Sequence, residues 1–209
     1  AKRIVSENFQ ETFRFDSQKD SFVSLTPSRG GNFSLSFLSI KTSFIKDDDL
    51  NNSPTFDKFS KNRLIIRDRL NNLNTQGEYG INSQDVLIPA FISAYSDSDP
   101  STFSLKPFPK IPIPNWRIDF SGLSKIKSLS EIFSNITISH GYQSIYSIGE
   151  FSNSLLYIDN LDFNNSIMNY PLASQQTENG LVPFYIINQV RITERFSPLI
   201  GINVRTKNN

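Results

Sequence analysis

From Ser134 to Ile148 the chain alternates strictly enough to dictate its backbone. Ile136, Ile138, Tyr142, Tyr146 and Ile148 share one parity, and Thr137, Ser139, Gly141 and Gln143 share the other. A period of two puts these sets on opposite faces of a β-strand, and a slip of one residue would invert both. The polar set carries no charge until Glu150, whereas a solvated soluble sheet usually offers Lys and Glu there. This segment predicts a sheet with one aliphatic and aromatic face and one hydrophilic, uncharged face. Gly149-Glu150, between Ile148 and Phe151, fits two geometries, a two-residue hairpin or a kink inside one long strand.

Alternation also marks the first part of the chain. Residues 9–45 read as two strands, with Phe13, Phe15, Phe22, Val23 and Leu25 on one side of the first and Phe33, Leu35 and Phe37 on one side of the second. Pro27-Ser28-Arg29-Gly30-Gly31 has turn residues, and Leu38, Ile40 and Phe44 take the other parity, as after a β-bulge. From Asp47 the period becomes about 3.6. Ser53 as N-cap and Pro54 at the first helical position predict a helix over 54–73, with Phe56, Phe59, Arg63, Ile66, Leu70 and Leu73 on one face. A second helix is expected from Ser83, its apolar side made of Ile88, Phe91, Ile92 and Tyr95, with Pro89 in the first turn or at a kink. Pro107, Pro109, Pro112 and Pro114 enforce an extended run to Trp116, and Leu123, Ile126, Leu129, Ile132 and Phe133 suggest a short third helix. Trp116 and Phe133 are expected to be buried.

The expected organisation is barrel-type strands at 1–46, a helical and Pro-rich insertion at 47–134, and strands again at 135–209, with an Asn- and Asp-rich loop near 160–182. The late strands carry Phe184, Ile186, Val190 and Ile192, then a tight turn at Glu194-Arg195-Phe196-Ser197 and Pro198 opening a strand with Leu199, Ile200, Ile202 and Val204. If Gly149-Glu150 is a hairpin, the short turns near 27–31, 149–150 and 194–197 gather at one end and the long loops at the other, the layout of an outer-membrane barrel. A soluble antiparallel sandwich also alternates, and pattern alone leaves it open. The chain begins and ends without a terminal device, so it is expected to be a piece of a longer polypeptide.

Composition narrows the chemistry. Lys+Arg number 21 against 20 Asp+Glu, a net charge of +1, which gives no electrostatic case for nucleic acid. There is no Cys, which removes disulfides, thiolate nucleophiles and Cys-based zinc sites together. His140 is the only histidine and sits mid-strand in the apolar register, so neither a His-cluster metal site nor a hydrolytic triad is expected. Asp47-Asp48-Asp49 and Asp97-Ser98-Asp99 lack the spacing of a calcium loop and read as solvated acidic loops. Glu150, Asp159 and Asp162 could supply paired carboxylates, but their separation is not a property of sequence. Lys58, Lys61, Arg63, Arg67 and Arg69 make the first helix basic, a solvated face balanced by Asp57 and Asp68. No catalytic, cofactor-binding or metal-binding residue is expected, and no enzymatic activity.

Four stretches carry a family resemblance: Asn82-Ser83-Gln84-Asp85-Val86-Leu87-Ile88-Pro89-Ala90-Phe91; Pro107-Phe108-Pro109-Lys110-Ile111-Pro112-Ile113-Pro114-Asn115-Trp116-Arg117; Ser139-His140-Gly141-Tyr142; and Ile192-Thr193-Glu194-Arg195-Phe196-Ser197-Pro198-Leu199-Ile200-Gly201. They resemble, in order and over roughly residues 38–205, the SprA/Sov family. These are very large outer-membrane proteins of Bacteroidetes that form the translocon of the type IX secretion system and are required for gliding motility in some members. The Pro-rich run through Asn115-Trp116-Arg117 is the most specific part. The resemblance implies antiparallel strands of a large transmembrane β-barrel, located in the cell outer membrane, that passes folded cargo to the cell surface. Implied partners are secreted cargo proteins bearing C-terminal secretion signals, a smaller outer-membrane barrel, a periplasmic plug protein and outer-membrane lipid. Family members are several times longer than this chain. The alternative from pattern alone is a soluble β-rich cell-surface binding module or adhesin.

Overall fold

The computed structural model describes residues 2–11, 13–24, 28–48, 52–74, 77–157, 172–177 and 180–207. In chain order the elements are β1 (Arg3–Gln10), β2 (Phe13–Asp16), β3 (Ser21–Ser24), β4 (Ser28–Ser36), α1 (Pro54–Leu73), α2 (Gln84–Tyr95) and β5 (Trp116–Phe120). After a 3-10 turn at Gly122–Lys125 and one helical turn, α3 (Lys127–Ser130), come β6 (Phe133–Asn153), β7 (Ser174–Thr177), β8 (Gly180–Val182), β9 (Tyr185–Phe196) and β10 (Gly201–Thr206). The protein is mainly β, its strands antiparallel.

The alternating segment forms the spine. β6 runs unbroken for 21 residues, about 70 Å of strand. One side of it is lined first by β5 and then by β4, and the other by β10 and then β9. β1 pairs outside β4. The sheet is thus open among the described residues, with β1 and, along the lower part of β6, β5 at one edge and β9 followed by β10 at the other, and it does not close into a barrel.

Several expectations are corrected. Gly149-Glu150 is the kink and not the hairpin: β6 gains one residue against β4 there, Glu150 has φ 54°, and its N–H donates to Asn32 Oδ1 at 3.1 Å. The expected turn at 27–31 does not form, because Ser28–Gly31 lie within β4; the chain reverses instead at 17–20, between β2 and β3. The register change after Phe37 is the end of β4, and the chain turns away at 40–44. Glu194-Arg195-Phe196-Ser197 is not a tight turn, since β9 and β10 continue in one direction beside β6, with a cis Ser197-Pro198 peptide between them. The gathering of short turns at one end therefore fails: the 17–20 reversal and the chain after β6 lie at the same end of the sheet. Trp116–Phe120, expected inside the insertion, is a strand of the sheet. The third helix shrinks to two short turns. Trp116 and Phe133 are only partly buried. Leu25, Asp49, Asp159, Asp162 and most of the 160–182 loop lie outside the described residues.

The helices form two layers over the upper half of one sheet face. α1 spans the expected residues, with Ser53 at its N-cap and Pro54 in its first turn. Ile66 and Leu70, one helical turn apart, meet Val86 and Ala90 of α2 in one core with Tyr79 and Leu105. α2 is buried on two sides because its apolar residues do not form a single stripe. Ile88 and Ile92 leave the opposite side and pack on Phe33, Leu35, Phe37, Tyr146, Ile148 and Phe151 of the sheet. A buried hydrogen bond from Asn62 Nδ2 to Ser93 Oγ, 2.9 Å, locks α1 to α2.

Candidate functional site

Register assigns every strand residue to a face. The apolar face of β6 carries Ile136, Ile138, His140, Tyr142, Ser144, Tyr146 and Ile148, and its neighbours are Trp116, Ile118 and Phe120 of β5, Ile192, Glu194 and Phe196 of β9, and Ile202 and Val204 of β10. Along β6 this face divides into three zones.

The upper zone is the core under α2. The middle zone is polar. Tyr142 Oη donates to Glu194 Oε1 at 2.6 Å, and Ser39 Oγ donates to the same oxygen at 3.0 Å. Ser43 Oγ donates to Glu194 Oε2, and Ser39 N–H donates to Tyr142 Oη at 3.0 Å. Ser39 and Ser144 hydroxyls lie 2.9 Å apart. A carboxylate ringed by hydroxyl donors is well satisfied without a cation. The knot also has an architectural effect, because both stems of the insertion fasten here. The first stem is held by Ser39 and Ser43; the second by Asn115 Oδ1, which accepts from Ser144 N–H at 3.0 Å, and by the Pro107 carbonyl, which accepts from Tyr146 Oη at 2.9 Å. The knot is not legible in the sequence, since Glu194 falls in the expected tight turn and Ser39 stands in no pattern.

Below the knot runs an aromatic row, with Trp116 stacked on Tyr142 at 4.4 Å and Phe196 5.3 Å from Tyr142 on its other side. Beneath that row the face is aliphatic and aromatic and lies beyond α1 and α2, while the 3-10 turn at Gly122–Lys125 and α3 touch β6. Ile118 is 56% exposed, Phe120 51%, Ile202 68% and Val204 47%; Ile136 is the buried member of the set. From the aromatic row to the start of β6 is about 30 Å along the strand, or roughly 23 Å in height at a 40° tilt. His140 lies in this zone, its Nδ1 2.6 Å from the Leu199 carbonyl oxygen and so its donor, between the rings of Trp116 and Phe196. That hydrogen bond and those two rings fix the orientation of the imidazole.

The opposite face is mostly hydrophilic across the strands, interrupted by Ile145 of β6 and Ile4 of β1. Thr137, Ser139, Gly141, Gln143 and Ser147 of β6 face the same way as Ser34 of β4 and Asn203 of β10. Cross-strand partners add charge that β6 alone lacks: Arg191 lies opposite Ser147, Arg195 opposite Gln143, and Arg205 opposite Asn135. Arg117 is paired with Asp119 at 3.0 Å.

The acidic and basic residues singled out in the insertion are spread apart. Asp48 accepts from the Asn52 backbone and side chain, Asp97 pairs with Lys58, and Asp99 accepts from Ser101. No group of three potential metal ligands occurs among the described residues. Arg67 pairs with its neighbour Asp68, while Arg69 donates to the Pro100 and Phe103 carbonyls and so fastens α1 to the following loop. Among the described residues no helix is long and apolar enough to cross a membrane, which does not bear on strands.

The sequence matches no protein-family model and no curated protein.

Proposed function

We propose that the chain is part of the wall of an outer-membrane protein-conducting channel of the SprA/Sov type, its strands belonging to a large transmembrane β-barrel that passes folded cargo to the cell surface. The observation that carries this reading is the zoning of the apolar face. The lower zone leaves a band of exposed Ile, Val and Phe, close to the ~25 Å apolar belt of barrel proteins and bordered by the half-buried Trp116 and Phe196, residue types of an interfacial girdle, on either side of the buried Tyr142. The opposite face, rich in Ser, Thr, Gln and Asn, suits a water-filled lumen.

At 21 residues β6 is about twice the 9–11 that cross a bilayer, so the wall extends beyond the lipid on the upper side. There the apolar face can no longer meet lipid, and α2 with the Pro-rich run covers it. The open edges at β5 and β10, which flank the lower part of β6, suit pairing with further strands, since backbone groups in lipid must all be bonded. Motif resemblance supplies the type IX assignment, with outer-membrane lipid, cargo bearing C-terminal signals, a smaller barrel and a periplasmic plug as proposed partners. The mechanism is passive: the wall excludes lipid and presents a hydrophilic surface, and the driving energy comes from elsewhere.

The second reading is a soluble cell-surface binding module, favoured by the two-layer helical block with its own core. Fractionation of cells carrying the full-length protein separates the two. The channel reading predicts recovery with outer-membrane vesicles that resists alkaline carbonate and loss of cargo from the medium on deletion; release by carbonate with normal secretion contradicts it.

A further inference from the structure

The hydrophilic face has two recesses aligned along β9. The upper, about 270 Å³, is lined by Asn32, Ser34, Ser147, Gln189 and Arg191. The lower, about 480 Å³, is lined by Arg117, Gly141, Gln143, Arg195 and Ser197. Thr193, facing the same way, lies between them opposite Ile145. The ion pairs among the described residues include neither Arg191 nor Arg195. The nearest carboxylate in sequence, Glu194, is turned to the other face and held by hydroxyls. Arg117 is already neutralised by Asp119.

Two guanidiniums without carboxylates, each beside hydroxyl and amide groups, form a cationic pair awaiting anions. Four strand residues separate them by about 13 Å, which is also the spacing of residues i and i+4 in an extended peptide. We propose that this face binds an extended acidic polypeptide segment whose carboxylates, four residues apart, seat in the two recesses, each meeting one planar guanidinium fork. Polypeptide fits because the recesses lie in line along a strand, with Ile145 and Thr193 between them. This inference rests on the channel reading in that passing cargo would present the segment; it gives the face a preference for acidic over neutral stretches.

The test uses the full-length protein in detergent micelles with a photo-crosslinking residue replacing Thr193. The probes are a short extended peptide with two Asp four residues apart and the same peptide with Asn. The Asp peptide should label position 193, with labelling falling severalfold by about 0.5 M salt as screening shortens to a few ångströms. The R191Q/R195Q variant, its fold checked by circular dichroism, should bind roughly tenfold more weakly, the product of two exposed ion pairs. Equal labelling by the Asn peptide, an unchanged R191Q/R195Q variant, or displacement only by a phosphorylated glycolipid would overturn the proposal. Flotation of the same preparation with lipid vesicles keeps the two readings apart: labelling without flotation leaves the peptide site and removes the channel, and flotation without labelling does the reverse.

Discussion

Tyr142 joins two zones of the sheet, because its ring closes the aromatic row while its hydroxyl enters the polar knot. In Tyr142→Phe the ring contacts remain, but Ser39 N–H loses its acceptor and Glu194 one of its donors. An unmet buried donor costs about 1–3 kcal/mol, so denaturant unfolding should show a loss of that size with the stacking on Trp116 retained in near-ultraviolet dichroism. Gly141 is constrained by space. A Cβ there would lie 2.5 Å from the Ser197 carbonyl oxygen, and Gly141 N–H and C=O bond across to Pro198 and Ser197. Gly141→Val should separate the β9–β10 junction from β6, seen as faster amide exchange at 197–201. Asp85, in the first turn of α2, has its carboxyl pushed up to about 6 by burial, against a weaker opposing hydrogen bond from Gln84. A raised acid pKa means that the folded state prefers the protonated form, so stability is greatest below about 3.8 and declines as pH rises to about 6. Thermal melts of Asp85→Asn should therefore gain on the parent between pH 4 and pH 7, by on the order of 2 kcal/mol; a constant difference would contradict the burial.

At the scale of elements, legibility followed how local the signal was. α1 was readable to its ends, since Ser53-Pro54 starts a helix chemically and the 3.6 period persists to Leu73. The spine β6 was readable as alternation, but not as one strand, because a bulge and a hairpin share the signature Gly149-Glu150. What decides is Asn32, a residue over a hundred positions away. Gly30-Gly31 misled for a physical reason. These glycines serve close strand approach: a Cβ on Gly31 would fall 1.8 Å from the Ser6 carbonyl oxygen, and one on Gly30 2.9 Å from that of Phe151. The true reversal uses Asp16, whose Oδ1 accepts from Gln18 N–H, and Asp20 at φ 45°, a turn chemistry without glycine. The knot at Glu194 was illegible because its members come from three separate segments. α2 is the element whose packing decides whether the upper face is covered. Ile92→Ala, at a fully buried contact with the sheet, should cost about 2–5 kcal/mol and raise protease cleavage within 37–115 before the strands are cut.

For the molecule as a whole, one sheet face passes from helix-covered core through a polar knot and an aromatic row to bare aliphatic side chains, while the other face is mostly hydrophilic, interrupted by Ile4 and Ile145. Exposed Val5, Phe9, Phe13, Phe15 and Phe22 along β1 and the adjoining β2–β3 hairpin lie outside the lower band and mark the edge where further chain or a neighbour would pair. No Cys occurs in these 209 residues, so each probe position within them is a single introduced cysteine. The account is tested most directly by spin labels placed one at a time from 136 to 140 and from 202 to 204 in the full-length protein reconstituted in lipid, with oxygen and a water-soluble nickel complex as relaxants. It predicts a two-residue alternation, positions 138, 202 and 204 reporting lipid and positions 137, 139 and 203 reporting water. Uniform accessibility to the nickel complex along both strands would contradict it.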